Sequence, residues 1–458
     1  MNLCYSQTSG PEVALQSRHV TVIGTAFDTV LPDDIELCLK DGICIDRRNN
    51  TPMEMDAYSI YLALKAIELS TGSSLEARKK LLADAVVKRM NQCGGFWRHG
   101  AWTGSELEVH MRFTAAAIRL LVEAIQDNLI AEPSIVIDAL KRHLSFAEKL
   151  ENGLWFLHDS LESKDVNVSH PGRLTHNYAF GSSDRNCLVL NTHLDTLLTI
   201  MHVMRRIDLT AGDQDYFRSA LSAGVDALRT VLRPNTGFAW STFEKLDSLV
   251  RSVLFRSFEI RNFRSFRSKA IRYGITKFYF PMRRHVRSWM PGFLFTDGYT
   301  ERDIRLDGIS FEYHVANLYD LTRFALEART SRLVADEELL NYCDEIVHAG
   351  INYVVLTNYW HCLVAGFAWN GKAIVLCEAI VAWLSSHNRS VPAAWVKAYC
   401  AVRRVIPPSP ALLGYDPNSV GERPAHGAYS PAIDVMELRD GRQLVVDIAN
   451  ETFTFNTM

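Results

Sequence analysis

The sequence lacks the features by which membrane, secreted and disulfide-bonded proteins are most directly recognised. No stretch approaches the ~18 consecutive apolar residues of a membrane-spanning helix, and residues 1–16 do not have the basic and then apolar pattern of a secretory signal. The nine cysteines are scattered, and no two form a Cys-x-x-Cys pair. Dispersed cysteines favour reduced thiols over a disulfide framework or a zinc site. We therefore predict a cytoplasmic protein.

Motifs for nucleotides, metals and common nucleophiles are also lacking. The chain has no Gly-x-x-x-x-Gly-Lys loop, no Gly-x-Ser-x-Gly, no His-Glu-x-x-His and no Asp-Asp-x-x-Asp. Its 458 residues carry a formal net charge of −3, which implies no general affinity for nucleic acid. The sequence thus predicts neither a cofactor nor a bound metal.

What the chain does contain is a recurring loop rich in Gly, Trp, Phe and His. Copies lie at residues 94–99, 153–159, 237–240 and 366–370, and the spacing of the first three, roughly 60–85 residues, fits two helices plus connections. We predict a mainly α protein, an (α/α) toroid of about six helical hairpins; an open α-solenoid is the alternative. Helical periodicity begins at Glu54 and then covers residues 76–91, 106–126, 133–151, 186–206, 213–232, 311–330, 335–356, 371–387 and 393–404.

Strand-like segments lie near the two ends of the chain. Residues 19–24 and 43–46 are short and β-branched, and residues 435–439 and 443–448 predict a hairpin around Asp440-Gly441. We therefore predict an irregular or β segment over residues 1–53, the toroid over 54–405 and a β-hairpin extension over 406–458.

Residues 251–288 interrupt the toroid with a basic insertion. It carries eleven lysines and arginines, interleaved with aromatic residues, against the single acidic residue Glu259. One interpretation is an amphipathic arm that binds an anionic membrane surface through Arg264, Arg267, Arg283 and Arg284, each worth ~1 kcal/mol beside an acidic leaflet. A helical hairpin with phenylalanines in the core is the second interpretation, and contact with an anionic glycan is the third.

Polar residues interrupt the apolar helical patterns at two places. Asn191 and His193 lie within one apolar helix, and Tyr313, His314 and Asn317 lie on or beside the stripe of another. A buried amide without a partner costs ~1–3 kcal/mol, so a position that lines a funnel is a natural explanation. A local network between helices is the alternative.

The aromatic loops supply candidate sugar-binding residues. Tryptophan offers a flat stacking face for a pyranose ring, and neighbouring histidines and carboxylates can exchange protons. Loop packing and helix capping are the alternatives. The candidates are Trp97, Trp155, His158, Asp159, Tyr359, Trp360, His361 and Trp369.

Two segments resemble carbohydrate-active toroids. Asp307-Gly308-Ile309-Ser310-Phe311-Glu312-Tyr313-His314 resembles the Asp-Gly-Ser-x-x-Glu-x-x-x-Tyr-His stretch of heparinase II/III-type lyases, with a shorter spacing before Tyr-His. Asn191-Thr192-His193-Leu194 resembles a helix start in those lyases and in the helical domain of glucuronyl C5-epimerases. The resemblance covers about residues 54–400 and lacks the β-sandwich of the lyases.

The resemblance implies an enzyme that removes the proton at C5 of a uronic acid. Neutralising the carboxylate acidifies that proton, and a tyrosine or histidine takes it. Cleavage at O4 makes the enzyme a lyase, and return of the proton to the other face makes it an epimerase. The implied neutralising residues are Asn191, Arg302 and Asn317, and the implied acid–base residues are His193, Tyr313 and His314.

We therefore expect an enzyme that acts on an acidic polysaccharide or a lipid-linked glycan, with an anionic membrane surface as a second partner. Two other classes stay open. An inverting glycoside hydrolase would need two carboxylates ~6.5–9.5 Å apart, with Asp159, Glu162, Asp297 and Asp303 as candidates. A non-enzymatic, membrane-associated scaffold would close the funnel with apolar side chains.

Overall fold

The computed structural model of the chain is mainly helical, with a few short strands. It describes residues 21–22, 25–26, 39–40, 42–46, 51–52, 54–71, 74–99, 108–163, 188–258, 264–290, 292–303, 309, 311–357, 375–377, 379–381, 383–384, 387, 390–404, 427–429, 432–437 and 442–457. The helices are α1 (Glu54–Thr71), α2 (Glu76–Gln92), α3 (Met111–Gln126), α4 (Ser134–Leu144), α5 (Leu190–Arg206), α6 (Ala211–Val231), α7 (Phe238–Phe258), α8 (Phe266–Gly274), α9 (Phe280–Trp289), α10 (Phe311–Ser331), α11 (Glu337–Leu356) and α12 (Ala393–Arg403).

Four helices, α1, α3, α5 and α10, run side by side in the same direction, and we call them the parallel helices. The Arg119 guanidinium lies 5.3 Å from the Tyr58 ring, and Lys65 pairs with Glu123 at 2.7 Å, so contacts advance in step along α1 and α3. The N-termini of the four helices therefore lie at one end. The corresponding pairs are Arg112–Asn191 and Arg119–Asp195 for α3 with α5, and Asp195–Arg323 and Arg205–Glu327 for α5 with α10.

The flanking helices α2, α4, α6 and α11 each follow one of the parallel helices and pack against it. In the last pair, His314 contacts Gly350 and Arg329 contacts Asn341, so α10 and α11 are antiparallel. This helix-to-helix packing buries α3 from Met111 to Ala124 on every side. Charged residues on such a helix are buried too, so they need partners inside the fold.

Short antiparallel strands accompany the helices. They are β1 (Thr21–Val22), β2 (Thr25–Ala26), β3 (Leu39–Lys40), β4 (Ile43–Asp46), β5 (Thr51–Pro52), β6 (Ala147–Lys149), β7 (Leu154–Phe156), β8 (Gly427–Tyr429), β9 (Ile433–Glu437), β10 (Arg442–Asp447) and β11 (Thr452–Thr457). The predicted C-terminal hairpin is confirmed, since Val435 pairs with Val445 within a four-stranded sheet of order β11-β10-β9-β8. Strands β6 and β7 form a separate hairpin before α5.

Two predicted helices differ from the observed ones by five residues or more at one end. The helix predicted at residues 106–126 begins at Met111, because His110 is its N-cap and accepts the Arg112 backbone N–H at 3.2 Å. The helix predicted at 133–151 ends at Leu144, after which the chain turns into β6. Both errors fall where a loop packs on the helix ends.

Two described parts of the predicted basic insertion are helical: residues 251–258 belong to α7, which continues to Phe258, and residues 266–288 form a second helical segment. A π-helical turn (Ile275–Tyr279) joins α8 to α9, and the backbone stays right-handed helical at Gly274 and Phe280. We call the continuous segment from Phe266 to Trp289 the basic helix. Within the described part of the chain, no helix combines the length and the apolar character needed to cross a membrane.

Candidate functional site

The N-termini of α3, α5 and α10 meet three loops at one end of the parallel helices. Backbone bridges pair His99 with Glu108 and His110 with Asp159, and the Leu190 N–H donates to the Arg302 carbonyl at 3.0 Å. These contacts bring three distant segments together. We call the side chains of His99, His110, His158, Asp159, Arg302 and Tyr313 the histidine cluster.

His158 holds Arg302 and has a defined tautomer. The Arg302 Nη2 lies 3.0 Å from His158 Nε2, and a guanidinium only donates, so Nε2 is the acceptor. Nδ1 then carries the proton and donates to Thr192 Oγ1 at 2.8 Å. Burial, and then the charge of Arg302, lower the pKa of His158 well below its usual value. The imidazole is therefore neutral.

His110 is a second neutral imidazole. Its Nδ1 accepts the Arg112 N–H, so in the neutral ring Nε2 carries the proton. The ring stacks on Phe113 at 4.3 Å and meets the edge of His158 at 4.4 Å. Burial, and then His158, lower its pKa well below the usual value. His110 is thus a hydrogen-bond donor through Nε2.

Asp159 and His99 form the buried side of the cluster. The His99 Nε2 lies 3.8 Å from the Asp159 carboxylate, and its Nδ1 lies 3.7 Å from that of Glu108. Asp159 also accepts the Leu161 N–H at 2.9 Å. Burial raises the pKa of Asp159 above its ordinary value.

Arg302 lies at the edge of the cluster. Its guanidinium carbon is 4.5 Å from the centre of the Tyr313 ring, and its Nε is 3.8 Å from the Asp303 carboxylate. The side chain is 21% exposed, whereas His99, His110 and His158 are buried. A cation held in place and still in contact with solvent is suited to bind an anionic ligand.

Asn191 and Asn317 each bring a buried amide toward this end of the helices. Asn317 donates to the Glu301 carbonyl at 2.7 Å. The Oδ1 atoms of Asn191 and Asn317 are buried and accept no hydrogen bond among the described residues. Such orphaned acceptors are uncommon in native proteins, and a ligand with hydroxyl groups would satisfy them.

A buried charge network begins at Arg112, in the first turn of α3, and extends further along the parallel helices. Arg112 pairs with Asp320 at 2.8 Å, and Arg119 pairs with Asp195 at 2.9 Å. Arg323 connects the pairs, at 3.4 Å from Asp320. The facing sides of α3, α5 and α10 are therefore polar, unlike the apolar closure expected of a scaffold.

His193 is held by backbone groups on both ring nitrogens. Its Nδ1 accepts the Phe156 N–H at 3.1 Å, and its Nε2 donates to the Gly224 carbonyl at 3.0 Å. Trp155 stacks on the ring at 4.0 Å. A Cβ at residue 224 would collide with Leu197. We call this arrangement a histidine clamp.

His314 forms a second histidine clamp with the same geometry. Its Nδ1 accepts the Thr300 N–H at 2.9 Å, its Nε2 donates to the Gly350 carbonyl at 3.2 Å, and Tyr299 stacks on it at 5.2 Å. A Cβ at residue 350 would collide with Leu318, as at the first clamp. The clamps thus form an internal repeat.

The acid–base roles predicted for His193 and His314 do not fit these positions. Both side chains are fully buried, and both ring nitrogens are engaged by the backbone. Burial lowers the pKa of His193 to about 3 and that of His314 to about 4. Their role is to hold a loop to a flanking helix.

The stacking role predicted for Trp97 and Trp155 is also corrected. Both indoles are buried, and Trp97 donates to the Val86 carbonyl at 3.0 Å. Their faces contact protein side chains, so they offer no platform to a sugar. Tyr359, Trp360, His361 and Trp369 lie outside the described residues.

The four arginines predicted to bind a membrane separate into two groups. Arg264, Arg267 and Arg284 are exposed. Arg283 is fully buried and pairs with Asp247 at 2.6 Å and with Glu301, so it does not reach a surface. Its burial cannot be read from a sequence pattern in which all four look alike.

Sequence reasoning missed His99 and the ion-paired Arg119 as parts of the polar centre. An available signal was Arg119 within the apolar pattern of α3, since an arginine in such a helix needs a buried partner.

Within the described ranges, no three side chains of His, Cys, Asp or Glu are grouped to hold a metal ion. No family model, curated protein or solved structure matches the chain.

Proposed function

We propose that the protein is an enzyme that abstracts the C5 proton of a uronate residue in an acidic polysaccharide or a lipid-linked glycan, on an (α/α) toroid. The observation that carries the proposal is the partly exposed Arg302 guanidinium, held by neutral His158 and packed on Tyr313. A lyase and a C5-epimerase both need this combination of a fixed cation and a proton-transfer group.

In the proposed mechanism, Arg302 binds the substrate carboxylate and His158 keeps the guanidinium in place. His110, neutral and protonated on Nε2, donates a hydrogen bond to the enolate-like oxygen as charge develops. Asn191 and Asn317 supply acceptors for sugar hydroxyls. Tyr313 takes the proton from C5; in a lyase it delivers that proton to O4 as the C4–O4 bond breaks, and in an epimerase a second group returns a proton to the other face of C5. Of the three predicted acid–base residues, Tyr313 is the one that remains.

The test is incubation with a panel of uronate-containing glycans. Ultraviolet absorbance of a new C4–C5 double bond would report a lyase, and deuterium uptake at C5 from heavy water would report an epimerase. Replacing Tyr313 with Phe should lower the rate by about 10²–10⁴-fold, the usual contribution of an acid–base group. Arg302→Met should cost on the order of 10²–10³-fold.

Tyr216→Phe is the matched control, because Tyr216 is exposed on the flanking helix α6 and should keep the wild-type rate. The proposal is abandoned if the wild-type protein neither forms a double bond nor exchanges C5 hydrogen on any uronate glycan. Wild-type rates in Y313F would remove the assignment of Tyr313.

An inverting glycoside hydrolase is the second candidate, and the raised pKa of Asp159 favours it, since a general acid must be protonated. The other predicted carboxylates have structural partners. Glu162 accepts the His158 N–H at 2.8 Å, and Asp297 pairs with Arg251 at 3.1 Å. New reducing ends without a double bond, lost in Asp159→Asn, would identify the hydrolase.

A further inference from the structure

The basic helix has two faces with different partners. From residue 264 to residue 290 the sequence has no Asp or Glu and eight Lys or Arg. The buried face carries Ile275, Tyr279, Arg283 and Arg287, spaced four apart. Arg287 donates to the carbonyls of Gly292 and Asp303 at 2.9 and 2.8 Å. The buried arginines on this face therefore have their hydrogen-bond and ion-pair partners inside the fold.

The opposite face exposes an apolar stripe. Phe278, Met282, His285 and Trp289 stand at i, i+4, i+7 and i+11, a spacing that places them on one side of a helix. Phe278 is 76% exposed and Trp289 is 77% exposed. Phe266 and Tyr273 add two further exposed rings at i, i+7. Rings this exposed contribute little to the core.

Exposed cations flank this stripe. Among the described residues from 264 to 290, the exposed cations are Arg264, Arg267, Lys269, Lys277 and Arg284. The Lys277 ammonium lies 5.9 Å from the Tyr273 ring. A surface with aromatic side chains, several cations and no acidic residue complements a partner that is both anionic and apolar.

We propose that the exposed face of the basic helix docks on an anionic lipid bilayer. Aromatic and aliphatic side chains enter the boundary between headgroups and acyl chains, while lysines and arginines contact acidic headgroups. Nucleic acid would use the cations but not the row of Phe278, Met282 and Trp289, and the chain as a whole is anionic. The docking is independent of the proposed C5 chemistry.

Sedimentation with vesicles tests this proposal on the full chain. Binding should be strong to phosphatidylcholine vesicles that contain phosphatidylglycerol, weak to pure phosphatidylcholine, and weakened by salt. The triple variant R267E/K277E/R284E should bind the anionic vesicles at least about 100-fold less tightly, since each cation contributes about fivefold. F278S/W289S should also reduce binding and leaves every charge in place.

The matched control is K80E/R218E/R404E, which makes the same change of charge at exposed positions outside the basic helix. It should bind like wild type. Equal binding of wild type and R267E/K277E/R284E overturns the proposal, as does an absence of binding to anionic vesicles. Binding to RNA or to an acidic polysaccharide without binding to vesicles would assign the face to that polyanion instead.

Discussion

At the scale of single residues, the two histidine clamps show how a buried imidazole contributes to a fold. Each ring makes two hydrogen bonds to backbone groups: it accepts a loop N–H and donates to a helix carbonyl. Buried backbone groups need such partners. The cost of this arrangement is that the ring must stay neutral.

Replacing His314 with Ala should therefore destabilise the protein by on the order of 3–5 kcal/mol. It leaves the Thr300 N–H and the Gly350 carbonyl without partners in a buried site, at ~1–3 kcal/mol each, and it opens a cavity. His314→Asn should recover part of the loss, because an amide oxygen can accept the Thr300 N–H. Urea unfolding measures both.

Exposed His285 gives the control for this prediction. His285→Ala should change the free energy of unfolding by less than about 0.5 kcal/mol. If H314A were as stable as wild type, the clamp would not be a structural device, and the histidine would return as a catalytic candidate.

At the scale of elements, glycine decides how closely a flanking helix approaches its parallel helix. At residue 350 a Cβ would collide with Leu318 and would lie 3.2 Å from the His314 ring. Gly350→Ala should therefore destabilise the protein by about 1–3 kcal/mol, the usual cost of overpacking a core. Differential scanning calorimetry measures the shift in Tm.

Gly274→Ala is the matched control, since residue 274 is helical and a Cβ added there would meet nothing within 4 Å. It should stabilise the basic helix by up to about 1 kcal/mol, because alanine has the higher helix propensity. The close approach would be refuted if both variants shifted Tm in the same direction.

The helices are more predictable than the side-chain roles. The patterns at residues 76–91 and 311–330 match α2 and α10 closely, because apolar periodicity indicates which face is buried. Periodicity does not say which loop covers that face. Trp155 and His193 therefore look like ligand-binding residues in the sequence, although they pack on each other.

The cluster itself is predictable in part. The sequence indicates His158 and Asp159 through the aromatic loop that contains them and Tyr313 through its place beside an apolar stripe, and it indicates Arg302 through the resemblance. The same reasoning places Arg283 on the surface with Arg284, because the sequence does not show that Asp247 and Glu301 meet it from other segments.

At the scale of the whole molecule, buried neutral histidines make stability depend on pH. Burial lowers the pKa of His143, His202 and His314 to about 4, and that of His193 to about 3. In the unfolded chain each returns to about 6.5. Below pH 6.5 the unfolded state binds more protons, so stability falls as pH falls toward the folded-state values.

We expect the free energy of unfolding to drop between pH 7.5 and pH 5.5 by on the order of 1 kcal/mol for each of these histidines. Urea titrations at the two values measure the drop. It should shrink in His314→Asn, which removes one titrating group, and stay unchanged in His285→Asn. A stability that rises toward pH 5.5 would contradict neutral burial of these rings.

The two histidine clamps also have a consequence for how this protein can change. In the first clamp His193 accepts the Phe156 N–H, and His158 follows two positions later. In the second clamp His314 accepts the Thr300 N–H, and Arg302 follows two positions later. These two side chains then meet at 3.0 Å. The chain thus uses the same clamp twice, and each clamp positions a different side chain. Substitutions at residues 158 and 302 can therefore change the specificity of the site, while the two clamps and the stability that they provide are kept.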